Sequence, residues 1–197
     1  GPNQVHISYV HSPIRYAWDL QHQYLKEAGL TKGLKGWLAK IILHYMRIWD
    51  TRTSKGVDYF IANSKNAASR INKYYKKETC VIYPGLDLEN IPFSEEKQDY
   101  YFYNGRCIPY KKFDLIVDAF NKNGKKLIIA TNTDNKLYRS LKAKSKENIT
   151  WKFGLNLDEI NEIHSKARAF LFPPEEDFGL VPIAAMASGT PVIAYKK

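Results

Sequence analysis

The sequence predicts an α/β fold in which parallel sheets are covered by helices, as in Rossmann-like domains. Two observations carry this prediction: short apolar segments alternate with amphipathic helical segments along the whole chain, and the connections between them are short. With 197 residues, of which 44% are hydrophobic, the chain can form one large or two small packed domains. This apolar content excludes global disorder, and no apolar run approaches the roughly 20 residues needed to span a bilayer.

The first part of the chain contains three predicted strands and two predicted helices. Residues 5–10 form an apolar strand that ends before Pro13, because proline cannot continue the sheet. From Gly33 onwards, apolar residues recur at the i, i+3, i+4, i+7 spacing of a helix about five turns long. The remaining elements are a strand at 58–62, a helix at 67–75 capped by Asn63-Ser64, and a strand at 79–83.

The second part repeats the alternation. Its predicted strands are residues 100–103, 126–130, 149–153, 169–172 and 191–194. Its predicted helices are residues 112–121, 136–144, 157–167 and 182–188. The polar, proline-containing segment 88–99 predicts a linker between a first domain of residues 1–87 and a second of residues 100–197. Ligands of such sheets bind beyond the carboxyl ends of the strands, so we expect the chemistry in the loops that follow them.

The net charge of +10 predicts a polyanionic partner: nucleic acid, an anionic membrane face or a phosphorylated small molecule. Residues up to Asp87 include 13 basic and 6 acidic side chains, so most of the excess lies there. The stretch 15–55 mixes basic and aromatic residues, which is typical of a nucleic-acid or membrane surface. Because its aromatic residues follow the apolar helical stripe, we expect them to pack in the core. Cys80 and Cys107 alone indicate a reducing, cytoplasmic compartment.

Two loops and one histidine are candidates for chemistry. In 105–112, Arg106 and Lys111 are five positions apart and could both reach one diphosphate, although a solvated basic turn is an alternative. In 173–180, three carboxylates lie beside a glycine, where they could bind sugar hydroxyls, chelate a metal or cap a helix. His11 follows a buried strand, which suits either a cleft residue or a structural histidine.

Taken together, five segments resemble glycosyltransferase family 4, a family of retaining sugar transferases with the GT-B fold that includes many mannosyltransferases. In chain order they are 9–19 (YVHSPIRYAWD), 58–64 (DYFIANS), 81–87 (VIYPGLD), 105–111 (GRCIPYK) and 175–194 (EEDFGLVPIAAMASGTPVIA). The resemblance therefore covers nearly the whole chain, in the order and spacing of the family.

The resemblance implies a role for each matching residue. Arg106 and Lys111 match the basic pair that holds the donor diphosphate, and Glu176 matches a glutamate that contacts the transferred sugar. The segment Phe178, Gly179 and Leu180 matches the loop that runs past that sugar and the phosphates. His11 matches a histidine that faces the donor sugar from the N-terminal domain. Such enzymes resemble one another in needing no metal and no other cofactor.

The implied function is transfer of a hexose, with retention, from a GDP- or UDP-linked donor to a polysaccharide or lipid-linked acceptor. GDP-mannose is the first candidate for the donor. We expect a cytoplasmic enzyme that works at the inner face of the cytoplasmic membrane, either free or peripherally bound, and we do not expect nucleic acid as its partner. The competing hypothesis is a degenerate, non-catalytic module that binds a nucleotide or a partner protein.

Three departures from the family pattern qualify this expectation. Ala184 occupies the position of a second glutamate that grips the nucleotide ribose, so one charge-assisted hydrogen bond is missing. Residues 130–134 (ATNTD) replace a glycine-rich turn. Family members also begin about a hundred residues earlier and continue past Lys197. We therefore expect a partial N-terminal domain, a C-terminal domain without its end, and weak or no activity of this chain alone.

Overall fold

A computed structural model describes residues 3–196; Gly1, Pro2 and Lys197, at the outer limits of the predicted domains, lie outside the described residues. The strands are β1 Ile7–Val10, β2 Tyr59–Ala62, β3 Thr79–Val81, β4 Tyr101–Asn104, β5 Leu127–Thr131, β6 Ile149–Phe153, β7 Ala169–Phe172 and β8 Val192–Ala194. The helices are α1 Gln21–Glu27, α2 Gly33–Ser54, α3 Lys65–Tyr75, α4 Phe113–Asn123, α5 Lys136–Lys144, α6 Leu157–Lys166 and α7 Leu180–Ala187.

Every predicted strand and helix is confirmed, with ends that differ by a few residues. The helix α1 was not predicted. It has seven residues, of which Leu25 alone is buried, and no side chain caps its first turn. A helix this short has too few apolar positions for a periodicity to emerge from the sequence.

Residues 3–85 form one compact unit around a three-stranded parallel sheet in the order β1-β2-β3. Its core is small and consists of Val57, Phe60, Ala62, Ala67 and Ile71. The predicted cap of α3 is confirmed, because the Ser64 side chain accepts a hydrogen bond of 3.0 Å from the Ala67 N–H. Among the described residues β1 pairs only with β2, so its other edge is open.

The expectation that the aromatic residues of α2 pack in the core is wrong. Seven apolar side chains on one side of this helix are between 50% and 80% exposed: Leu34, Trp37, Leu38, Ile42, Tyr45, Ile48 and Trp49. The buried positions of α2 are instead Gly36, Asp50 and Ser54. Periodicity correctly predicted a helix with one apolar side, but it cannot show which side faces the unit.

Residues 86–196 form a second compact unit. Its five parallel strands have the order β6-β5-β4-β7-β8. The chain moves outward from β4 to β5 and β6, and then returns to place β7 on the other side of β4. The order of the strands therefore reverses between β4 and β7, and in open α/β sheets ligands bind in the crevice at such a point.

The segment 88–99, predicted as a linker, packs onto this second unit. The Ser94 N–H donates to the Ser188 carbonyl at 3.4 Å, and the Gln98 N–H donates to the Lys166 carbonyl at 2.8 Å. The Lys97 ammonium donates to the carbonyl of Ser165 at 2.7 Å, and burial lowers its pKa. The segment thus covers the carboxyl ends of α6 and α7.

Candidate functional site

Two side-chain hydrogen bonds hold the loop that follows β4 in place, one from β4 itself and one from the segment before α5. The Tyr103 hydroxyl donates to the carbonyl of Lys111 at 2.5 Å, and the Asn135 amide donates to the carbonyl of Cys107 at 2.7 Å. Cys107 is fully buried, and this burial raises its pKa to about 11. The loop closes in a short 3₁₀ helix, Pro109–Lys111, before α4 begins. These contacts fix the position of Lys111 at the carboxyl edge of the sheet.

Lys111 and Glu176, which the resemblance assigns to the diphosphate and to the sugar, are in direct contact. The Lys111 ammonium donates to a Glu176 carboxylate oxygen, and the two side chains are 16% and 24% exposed. The pair joins the loop after β4 to the loop after β7, which are the two loops at the switch point of the sheet. The pKa of the neighbouring Tyr103 hydroxyl is raised, chiefly by burial and then by the charge of Glu176.

The loop 178–180 leads directly from Glu176 into helix α7. Gly179 has a φ of +85°, a conformation that favours glycine, and a Cβ at this position would lie 3.1 Å from the Cγ of Pro182. Leu180 then begins the helix. The free N–H groups of the first helical turn carry a partial positive charge, which stabilises anions near them.

Arg106 lies beside a cavity of about 210 Å³ at the same edge of the sheet. The cavity lies among the loops after β4, β5 and β6 and is lined by Asn104, Gly105, Arg106, Ala130, Thr131, Asn132, Leu155 and Ile160. Residues Ala130, Thr131 and Asn132, where the family pattern predicts a glycine-rich turn, thus form one wall of this cavity. Arg106 itself is exposed, so its guanidinium is available to a ligand.

Sequence reasoning did not identify Asn104. Its side-chain oxygen is buried and has no hydrogen-bond partner among residues 3–196. A buried oxygen of this kind is costly unless a donor reaches it, and the cavity that Asn104 lines is open to a ligand or water. Its position in the sequence could have identified it, because Asn104 is the last residue of β4 and directly precedes Gly105 and Arg106.

His11 directly follows β1, at the carboxyl edge of the sheet of the first unit. Its ring is exposed and lies edge-on to Tyr9, with the ring centroids 5.4 Å apart. Its role opposite the donor sugar stays a prediction. Within the described part of the chain, no three His, Cys, Asp or Glu side chains are grouped as they are in a metal site.

The strand order and the loops at the carboxyl edge of the sheet define a Rossmann-like α/β protein with a topological switch point between β4 and β7. Residues 86–197 match the family described as Glycosyl transferases group 1. The chain therefore belongs to this family, which is consistent with the resemblance seen in the sequence.

Two curated relatives support this assignment. The chain is 25% identical over 167 residues to the O-antigen chain mannosyltransferase RfbU of Salmonella typhimurium, a match that covers 79% of the chain and 46% of the relative. It is 31% identical over 154 residues to the uncharacterized glycosyltransferase MJ1178 of Methanocaldococcus jannaschii, a match that covers 71% of the chain and 40% of the relative. The matches thus span less than half of the length of both relatives.

Solved structures show the same fold. WaaG, a glycosyltransferase involved in lipopolysaccharide biosynthesis, matches with a TM-score of 0.71 and 18% identity over 97% of this chain and 56% of WaaG. Anabaena Alr3699/HepE, solved in complex with UDP and glucose, matches with a TM-score of 0.65 and 16% identity over 97% of this chain and 52% of HepE. The prediction of GT-B-type, Rossmann-like parallel sheets is therefore confirmed.

Proposed function

We propose that this chain is part of a retaining glycosyltransferase that transfers a hexose from a nucleoside-diphosphate sugar to a polysaccharide or lipid-linked acceptor. GDP-mannose is the first candidate for the donor, which the name of the Salmonella relative supports. The UDP and glucose in the Anabaena structure support a nucleotide-sugar donor, with UDP as the other candidate nucleotide. The enzyme acts in the cytoplasm, at the inner face of the membrane, and needs no metal.

The observation that carries this proposal is the contact between Lys111 and Glu176 at the switch point. Lys111 lies in the loop after β4, which also carries Arg106, and Glu176 lies in the loop after β7. The two cations hold and neutralise the diphosphate, while Glu176 orients the sugar through its hydroxyl groups. The segment 178–180 and the first turn of α7 add backbone N–H groups for the same negative charge. For His11, the role of a residue that faces the sugar rests on its match to the family's histidine alone.

The proposed reaction follows a front-face course. The bond between the anomeric carbon and the phosphate oxygen breaks, and the acceptor oxygen bonds to the same face of that carbon. The acceptor proton passes to an oxygen of the leaving phosphate, so no separate protein base is required. The cationic side chains stabilise the charge that develops on the leaving diphosphate, and they are positioned before the reaction begins.

Calorimetric titration of the chain with UDP and GDP tests the donor site without requiring turnover. We expect at least one nucleotide to bind, and we expect R106A to weaken this binding by about 10- to 150-fold, the effect of one charge-assisted hydrogen bond. R168A is the matched control, because Arg168 pairs with Asp99 at 3.2 Å and precedes β7, at the opposite edge of the sheet. Equal affinities of R106A and R168A would contradict the proposed site.

A non-catalytic module is the second candidate, and Ala184 favours it because a ribose-binding carboxylate is missing. Under this hypothesis the chain binds neither UDP nor GDP with measurable affinity. We expect the chain alone to turn over sugar nucleotides weakly or not at all. Turnover at the rate of a complete enzyme would overturn that expectation while leaving the donor site in place.

A further inference from the structure

The orientation of α2 is inverted relative to an ordinary surface helix. Its polar side faces the first unit, where Asp50 accepts hydrogen bonds from the Trp18 indole at 2.8 Å and the Tyr75 hydroxyl at 2.9 Å. On the same side the Arg47 guanidinium donates to the carbonyl of Ala17 at 3.0 Å. The apolar side therefore faces away from the unit, although surface helices normally bury it.

The exposed side is continuous and long. At about 100° per residue, the seven apolar side chains from Leu34 to Trp49 fall within an arc of about 140°. The helical segment from Leu34 to Trp49, which carries this face, extends for about 24 Å. No helix described between residues 3 and 196 is long and apolar enough to cross a membrane. An outward apolar face with basic residues beside it fits a helix that lies in the membrane interface.

Basic side chains lie beside part of this face. Among its 22 residues α2 carries four basic side chains and a single carboxylate, Asp50, which is buried. Beside its carboxyl half lies a cavity of about 540 Å³, lined by Trp18, His44, Arg47, Ile48, Thr51, Arg52 and Lys55. Arg52 and Lys55 are exposed at this cavity, next to the apolar Ile48. Cations beside an apolar face match the phosphate headgroups and acyl chains of an anionic leaflet.

We propose that the outer face of α2 docks on a bilayer that contains anionic phospholipid, with Trp37 and Trp49 at the level of the acyl boundary and Arg52 and Lys55 on the headgroups. Aromatic side chains favour this depth, because their rings are apolar and their N–H and O–H groups remain solvated. A second copy of the chain fits the face less well, since a symmetric contact would bring like charges together.

Flotation of the 197-residue chain with unilamellar vesicles tests the proposal. We expect binding to phosphatidylcholine–phosphatidylglycerol vesicles at 3:1 that exceeds binding to pure phosphatidylcholine at least tenfold and falls in about 0.5 M salt. Emission of the exposed Trp37 and Trp49 should shift to shorter wavelength on binding. Equal binding to neutral and anionic vesicles, or none to either, would overturn the proposal, as would preferential binding of DNA or RNA.

Matched variants separate the two components of the surface. W37S/W49S should reduce vesicle binding at least tenfold, and R52E/K55E should remove the preference for anionic lipid, since each cation contributes about fivefold. Controls on the second unit are L157S, an equally exposed apolar position, and K122E/K136E. Circular dichroism checks that the exposed-site variants fold.

The same variants distinguish a bilayer from protein partners. If W37S/W49S binds vesicles as the wild type does, or if it converts a dimer to a monomer without any vesicle binding, α2 does not dock on a membrane. Vesicle binding needs no nucleotide, so its failure would leave the proposed donor site unaffected.

Discussion

The Lys111 ammonium is paired with the Glu176 carboxylate across the two loops at the switch point of the sheet. In the proposed donor complex the same ammonium binds a diphosphate, so the carboxylate and the nucleotide compete for it. We expect K111A to weaken UDP or GDP binding by about 10- to 150-fold in calorimetric titration. K112N is the control, because Lys112 is exposed and adopts the left-handed conformation that asparagine tolerates. A comparable loss in K112N would show that general positive charge, rather than Lys111, binds the nucleotide.

Removal of the Glu176 carboxylate should not weaken the binding of a free nucleotide, in contrast to removal of the Lys111 ammonium. In E176Q the ammonium of Lys111 is released from its ion pair, so we expect UDP or GDP to bind at least as tightly as to the wild type. A nucleotide sugar should lose affinity relative to the bare nucleotide, because the amide replaces the carboxylate that accepts from sugar hydroxyls. The ratio of the two affinities is measured by calorimetry. An unchanged ratio would remove Glu176 from the sugar site.

Asp50 organises the buried polar side of α2. In D50A the half-buried Trp18 indole N–H and Tyr75 hydroxyl lose their acceptor, and an unpaired donor costs up to about 1–3 kcal/mol when it is fully buried. We expect D50A to lower the free energy of unfolding in urea by at least about 2 kcal/mol, and D50N, which keeps an acceptor oxygen, by less. E27A, at an exposed position of α1 in the same unit, should have little effect. Equal stability of D50A and the wild type would mean that water replaces the acceptor.

A buried histidine makes the second unit sensitive to acid. His164 lies edge-on to Phe102 and Phe170, at centroid distances of 4.9 and 4.8 Å, and burial lowers its pKa to about 4. The unfolded chain takes up this proton near pH 6.5, so stability falls as the pH drops from 6.5 towards 4, by at most about 3 kcal/mol. The H164L variant lacks this pH-dependent contribution of His164 to stability, so the urea midpoint of the variant should vary less between pH 6.5 and 4. Parallel pH profiles of the two proteins would contradict the assignment.

The sequence predicted the strands, all helices but α1, and the candidate residues of the loops after β4 and β7. It could do so because the alternation of strands and helices and the short motifs are local properties of the chain. It was wrong about the aromatic stripe of α2. Helical periodicity defines an apolar side, but only the buried Asp50 and its partners show that this side faces outward. The contact between Lys111 and Glu176 was also beyond its reach, since these residues are 65 positions apart and meet only through the strand order.

Ala184 permits a test by gain of affinity. It lies on α7, eight residues after Glu176, and is half-buried. If the ribose of the donor lies over this helix, a glutamate there accepts hydrogen bonds from its hydroxyl groups, and A184E should bind UDP or GDP about 10- to 150-fold more tightly in calorimetric titration. M186E is the matched control, because Met186 is exposed on another side of the same helix. A gain in A184E but not in M186E places the ribose at α7, whereas equal affinities of both variants would mean that the nucleotide binds elsewhere on the sheet edge.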